Sequence, residues 1–275
     1  MQQHRTLAFI GAGNMSRSII AGLIKAGYPA TLITAANPSQ PKLDALASDY
    51  GIRTTRSNAE AARHAEVIVL AVKPQLMAGM LAALVAELGS LAGKLLVSIA
   101  AGIKVARLAE MAGGHDRIIR TMPNTPALLG LGMTGLYAPE HIAAADRDFA
   151  EQMMQAVGKT LWVAQESGIN SVIAAAGSAP AYFFLFLPAI AEEAEAMGFS
   201  PEQARQLVQQ TALGAAAMVE QNPELSLQTL REQVTSKGGT TAEAIKTFQQ
   251  QGLMPLTANA MQAAVARAAE METLF

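Results

Sequence analysis

The sequence predicts an α/β protein in which a doubly wound sheet over the first 165 residues is followed by an all-helical remainder. Three observations lead there. Short β-like runs alternate with helical stretches through the N-terminal part. One such run, residues 67–72, is apolar throughout, and after about Glu166 the strand pattern stops. Alternation of this kind produces a mostly parallel sheet with helices on both faces, and a strand covered on both faces shows no polar side.

The expected strands are residues 6–10, 31–35, 52–55 (the weakest), 67–72, 95–100, 117–121, 134–138 and 161–164. Helices at 16–26 and 75–88 lie between them, closed by Gly27 and Gly89. The C-terminal helices are expected at 169–176, 179–197, 201–220, 241–250 and 255–275, with 225–233 reading equally as helix or turn. Gly198 ends one of these helices, and Ser200-Pro201 opens the next with a capping serine and a first-turn proline. The domains implied are 1–165 and 166–275.

Composition excludes several classes of function. With 51% hydrophobic and 15% charged residues, the 275-residue chain has ample apolar surface for a core. A net charge of −2 without a Lys or Arg block provides no footprint for nucleic acid. The absence of cysteine rules out disulfides, thiolate metal sites and cysteine nucleophiles. The four histidines have no metal-ligand spacing, so no metal site is expected. Residues 167–191 carry no charge and are long enough to span a bilayer. Pro180, Pro188, Gly168 and Gly177 argue instead for a helix buried on all sides in a protein core. The N-terminus runs directly into a strand without the pattern of a secretory signal, so a cytoplasmic protein without a membrane partner is expected.

The sharpest local motif is Gly11-Ala12-Gly13-Asn14-Met15-Ser16, between the first strand and the first helix. Glycines there allow a tight turn and close approach of a pyrophosphate to the helix N-terminus, as in Rossmann-type dinucleotide sites. Ser16 stands where a third glycine is usual; a plain turn is the alternative reading. After the second strand, Asn37-Pro38-Ser39 offers hydrogen-bond donors, and no acid occurs before Asp44. A ribose 2′-phosphate is thereby favoured over a free 2′-hydroxyl, which gives NADPH with NADH as the alternative. Ala71, Val72, Lys73 and Pro74, and then Ala100, Ala101 and Gly102, follow two further strands and should face the same crevice. Lys73 reads as a cofactor contact before it reads as a catalytic group.

The second concentrated motif is Ser236-Lys237-Gly238-Gly239-Thr240-Thr241-Ala242-Glu243. Thr240 and Glu243 have capping-box spacing, and free backbone N–H groups of Gly239, Thr240 and Thr241 would hold a carboxylate. Glycines that end one helix and threonines that cap the next would look the same.

Together with the runs 120–126, 177–182 and 234–241, these segments resemble the pyrroline-5-carboxylate reductases over nearly the whole chain. Lys237 departs from the proline common in that family, and Ala176 and Ala179 from a Ser and a Gly. The resemblance implies NAD(P)H-dependent reduction of pyrroline-5-carboxylate to L-proline. It adds Asn58 to the cofactor contacts and builds the substrate site from Glu166, Ser236, Gly239, Thr240 and Thr241, with Thr241 as the catalytic hydroxyl. It also implies that the helical part forms a homodimer, which in some members assembles further into a decamer. A β-hydroxyacid dehydrogenase is the nearest rival, but residues 169–191 lack the lysine that family places there. A non-enzymatic NADP-binding sensor is the rival from another class.

The missing acid after the second strand makes a prediction. The protein should bind NADPH more tightly than NADH, and Asn37→Asp should move the ratio towards NADH by about tenfold. Titration of both reduced cofactors measures this, and equal or tighter NADH binding by the unaltered protein would contradict it.

Overall fold

The computed structural model describes residues 4–275. Its strands are β1 (Leu7–Ile10), β2 (Ile33–Ala36), β3 (Arg53–Thr55), β4 (Val67–Leu70), β5 (Leu95–Ser98), β6 (Ile118–Met122), β7 (Gly132–Tyr137) and β8 (Gly158–Trp162). They form one sheet in the order β3-β2-β1-β4-β5-β6-β7-β8, parallel except between β6 and β7. The helices are α1 (Asn14–Lys25), α2 (Gln40–Tyr50), α3 (Asn58–Arg63), α4 (Pro74–Leu88), α5 (Val105–Met111) and α6 (Ala144–Gln155). They continue with α7 (Gly168–Val172), α8 (Ala179–Ala196), α9 (Pro201–Gln221), α10 (Leu227–Gln233), α11 (Thr240–Gln250) and α12 (Leu253–Met271). The doubly wound sheet and the all-helical remainder are therefore both present.

The chain packs as two compact units. One comprises the described residues up to Pro180 together with Ala263–Phe275, and the other is Ala181–Gln262. In the first unit, alternate side chains of each central strand enter opposite layers. Leu7, Phe9, Val67, Val69, Leu95 and Val97 belong to one buried cluster, and Ala8, Ile10, Ile68, Leu70 and Leu96 to the other. This is what the continuous apolar run 67–72 required. The run leaves the ladder at Leu70, and 95–100 leaves it at Ser98. The residues beyond become loops at the carboxyl edge.

Two helical expectations are altered. Residues 169–176 do not form one helix, because α7 passes into a π-helical turn, Ile173–Gly177, closed by Ser178 N–H donating to the Ile173 carbonyl at 2.7 Å. Pro180 has no N–H to offer the Ala176 carbonyl one turn back, which accepts from Asn124 Nδ2 instead at 3.0 Å. The second concerns α8, expected to be buried on all sides. None of its residues is buried, and Phe183, Phe184 and Leu185 are 67%, 67% and 77% exposed. The segment Gly168–Ala196 is long and apolar enough to cross a membrane; its most apolar 18-residue stretch has mean hydropathy 1.7 and is 6% buried, whereas Ile169, Asn170, Val172 and Ala174 near its start are buried. Among the described residues of the unit Ala181–Gln262, only Ala204, Val208 and Leu230 are buried apolar residues.

The edges of the first unit are tied by charge. The Asp146 carboxylate accepts from Arg5 Nη1 at 2.7 Å and from Arg117 Nε and Nη2 at 2.6 and 2.7 Å. Burial alone would raise the Asp146 carboxyl. Hydrogen bonds and charge from Arg117 and Arg5 outweigh it and hold the group below the usual carboxylate range. A lowered folded pKa contributes stability above the unfolded pKa and loses it as pH falls through the folded one. Asp146→Asn should therefore cost about 3 kcal/mol near pH 7. The difference from the parent protein should shrink below about pH 4, measured by denaturant melts across pH. A constant gap at all pH values would contradict this.

Candidate functional site

The site begins at the turn after β1. Gly11 has φ +106°, and a Cβ there would lie 2.6 Å from the Ala71 carbonyl oxygen. The fingerprint glycine and the loop after β4 are thus in direct contact, and only glycine fits both the angle and the space. Gly11 N–H donates to the Ala36 carbonyl at 2.9 Å, and Ala71 N–H to the Ile10 carbonyl at 2.9 Å. Gly13 caps α1 with extended backbone and no side chain, and a Cβ at Gly13 would meet nothing within 4 Å. The first helical bond runs from Arg17 N–H to the Gly13 carbonyl at 3.0 Å. Helix geometry leaves the N–H groups of Asn14, Met15 and Ser16 without a carbonyl behind them, at the positive end of the dipole. A pyrophosphate fits this open cradle. Ser16 is buried, and its hydroxyl donates to the Gly11 carbonyl at 2.6 Å, so it locks the turn that a third glycine would only have accommodated.

Strand register brings the other expected cofactor residues to the same edge. Ile10 pairs with both Ala36 and Leu70, Ala36 with Thr55, and Leu70 with Ser98. The loops carrying Gly11, Asn37, Ala71 and Ala100 therefore leave the sheet side by side, around the point where strand order reverses. Asn37 Oδ1 accepts from Ala12 N–H at 3.2 Å, a bond that an aspartate would keep. Asn58 opens α3 behind Ser57, whose hydroxyl accepts from Glu60 N–H at 3.1 Å. Lys73 is the N-cap of α4 and Pro74 its first residue, with Val72 between them and Ala71. Ala100 N–H donates to Ser98 Oγ at 3.3 Å, and Thr121 Oγ donates to the Ser98 carbonyl at 3.0 Å, which pins the start of that loop.

Arg56 was missed by the sequence reading. It follows β3, whose last residue pairs with Ala36, and so adds an exposed cation to the Asn37 end of the edge. Only the β2–β3 register reveals it, because strand β3 is three residues long and 19 positions separate Arg56 from Asn37.

The substrate residues implied by the resemblance fall in both compact units. Glu166 is not free: its Oε1 accepts from Val105 N–H at 2.7 Å and from Arg120 Nη1 at 3.1 Å. The other four lie in the unit Ala181–Gln262. Gly239, not Thr240, is the N-cap of α11, and no side-chain capping bond forms, so the expected capping box is absent. Thr240 already has helical backbone, and Glu243 meets Lys246 at 3.4 Å instead. True capping-box geometry occurs at Ser200 and Gln203. Gly239 N–H donates to the Ser236 carbonyl at 3.0 Å, and a Cβ there would lie 2.6 Å from Ser236 Oγ. Of the Gly239, Thr240 and Thr241 N–H groups, that of Gly239 is thus engaged, and those that α11 leaves without a carbonyl behind them belong to Thr240, Thr241 and Ala242.

A family described as pyrroline-5-carboxylate reductase dimerisation matches residues 166–271, and one described as NADP oxidoreductase, coenzyme F420-dependent, matches 6–102. A pyrroline-5-carboxylate reductase of Vibrio alginolyticus is 58% identical over 273 residues, 99% of this chain and 100% of that protein. The solved reductase from Coxiella burnetii superposes with TM-score 0.92 at 40% identity, covering 98% of this chain and 99% of that one. The Plasmodium falciparum pyrroline carboxylate reductase solved with NADP bound gives TM-score 0.83 at 28% identity over 98% of both chains. The chain belongs to the pyrroline-5-carboxylate reductase family.

Proposed function

We propose that this protein reduces 1-pyrroline-5-carboxylate to L-proline with NADPH, NADH serving less well. The observation that carries the reading is the open cradle at Gly11, Gly13 and the α1 N-terminus in a chain whose full length matches that family. When bound, the cofactor supplies the hydride that adds to the imine carbon, while one proton ends on the ring nitrogen. The protein's part is to hold, orient and hydrogen-bond. Residues 1–165 bind the dinucleotide. The N–H groups of Asn14, Met15 and Ser16 face the pyrophosphate, and Asn37, Asn58 and Arg56 attend the phosphorylated ribose. Ala100, Ala101 and Gly102, on the other side of the β1–β4 crevice, receive the nicotinamide half.

Residues 166–275 form the substrate-binding and dimerisation part. The N–H groups of Thr240, Thr241 and Ala242 hold the carboxylate, and Ser236 and Gly239 shape the turn that presents them. The Thr241 hydroxyl donates towards the imine nitrogen; a protonated imine or water supplies the proton. Glu166 acts at one remove, through Val105 and Arg120. The uncovered face of α8 is closed by a second copy of the chain in the cytoplasm, not by a membrane: the helix carries Glu192, Glu193 and Glu195 within its span. The dimerisation match over 166–271 supports this.

Two measurements test the reading. Thr241→Ala should lower kcat by about ten- to hundredfold if its hydrogen-bond partner is charged. Thr241→Ser should keep most activity, and Thr240→Ala, which removes no capping bond, should change neither turnover nor melting temperature much. Full turnover in Thr241→Ala would remove it from the mechanism. Light scattering at micromolar concentration without detergent should show no species near 28.8 kDa. A stable active monomer, or a need for detergent, would overturn the second-copy assignment.

A further inference from the structure

Arg120 lies in the middle of β6 with its side chain 0% exposed. Its Nη1 donates to Glu166 Oε1 at 3.1 Å and to Glu272 Oε1 at 2.9 Å, while Nε and Nη2 find no partner among the described residues. Burying a guanidinium in this way is costly, and an apolar side chain of similar volume would serve the sheet better. The arrangement instead fixes positions outside the sheet. Glu166 holds Val105 N–H at 2.7 Å, and Glu272 Oε2 holds Lys104 Nζ at 3.3 Å. Both points lie just past Ala100, Ala101 and Gly102, where the loop enters α5. Burial would raise the Glu272 carboxyl, but Arg120 and Lys104 outweigh it and keep the group ionised.

The residue before Glu272 reaches the loop itself. Gly102 has φ +74°, and a Cβ there would stand 3.0 Å from the Met271 Cβ, so Met271 packs directly against the turn. Arg107 Nε in α5 also donates to the Phe275 backbone oxygen at 2.8 Å. Three of the last five residues thus fasten onto one loop and the helix that follows it.

We propose that Met271, packed against Gly102, and Glu272, acting through Lys104 and Arg120, are positioning residues that hold the loop of Ala100, Ala101 and Gly102 in the shape that receives the nicotinamide half of the cofactor. This rests on the assignment of that loop to the nicotinamide half. In the full-length protein, Glu272→Gln keeps volume but removes the charge, and Met271→Ala removes the contact under Gly102 without touching the buried ion pairs. The dissociation constants of NADPH and of 2′-phospho-ADP-ribose, which lacks the nicotinamide, separate the cases. Each variant should bind NADPH about three- to tenfold more weakly, with the nicotinamide-free probe unchanged. Equal weakening of both ligands marks general damage and overturns the proposal. Ala101→Phe, in the loop itself, tests the underlying assignment. If it weakens NADPH selectively while Met271→Ala and Glu272→Gln do not, the positioning role alone is overturned. If none of the three discriminates between the ligands, the loop assignment falls and the proposal falls with it.

Discussion

The approach of the Gly11 turn to the Ala71 carbonyl is the constraint on which the cofactor half depends. A Cβ at Gly11 would sit 2.6 Å from that oxygen, inside any tolerable contact distance. Because Gly11 is also bonded to Ala36 and Ala71 to Ile10, the turn holds the carboxyl ends of β1, β2 and β4 level with one another. A larger residue would push β1 and β4 apart at the edge where the pyrophosphate must reach the α1 N-terminus. Ser16 and Asn37 reinforce the same turn, one bonding the Gly11 carbonyl and the other the Ala12 N–H. The residues proposed to touch the ligand are also the ones that shape the loop.

Apolar burial and buried charge do different work in the first unit. The alternating strand residues separate into two apolar layers, each buried side chain contributing about 1.5–3 kcal/mol, and these layers account for the existence of the sheet. Asp146 and Arg120 contribute placement: Asp146 joins Arg5 and Arg117, and Arg120 joins Glu166 to Glu272. The helical unit has almost no apolar interior of its own. Its exposed Phe and Leu side chains follow from a sequence that is apolar beyond what 82 residues can fold around (181–262), which is the physical basis for the proposed second copy.

The two glycine-containing loops show how far local pattern carries. At 11–16 the strand–turn–helix context left little freedom, and the structure has the expected turn, with Ser16 adding a bond that spacing alone does not reveal. At 236–241 the capping-box spacing of Thr240 and Glu243 pointed to the wrong cap by one residue. Gly239 is already bonded back to Ser236, so the helix starts earlier and the N–H groups left free shift accordingly. Spacing is one-dimensional; which residue becomes the cap depends on where the incoming chain has been tied.

The sequence by itself determined the alternation of strands and helices, the end of the strand pattern near Glu166, and the glycine turn after the first strand. Apolar periodicity and glycine chemistry act over a few residues, so they are written locally. Tertiary structure alone decided what depends on distant partners. Arg56 reached the Asn37 edge only through β3 pairing with β2. The partners of Glu166 lie far along the chain: Val105 is 61 residues away and Arg120 is 46. Residue Glu272 met Arg120 across 152 positions. Likewise α8 was left uncovered, because burial depends on what else the chain can bring against a face and not on how apolar that face is.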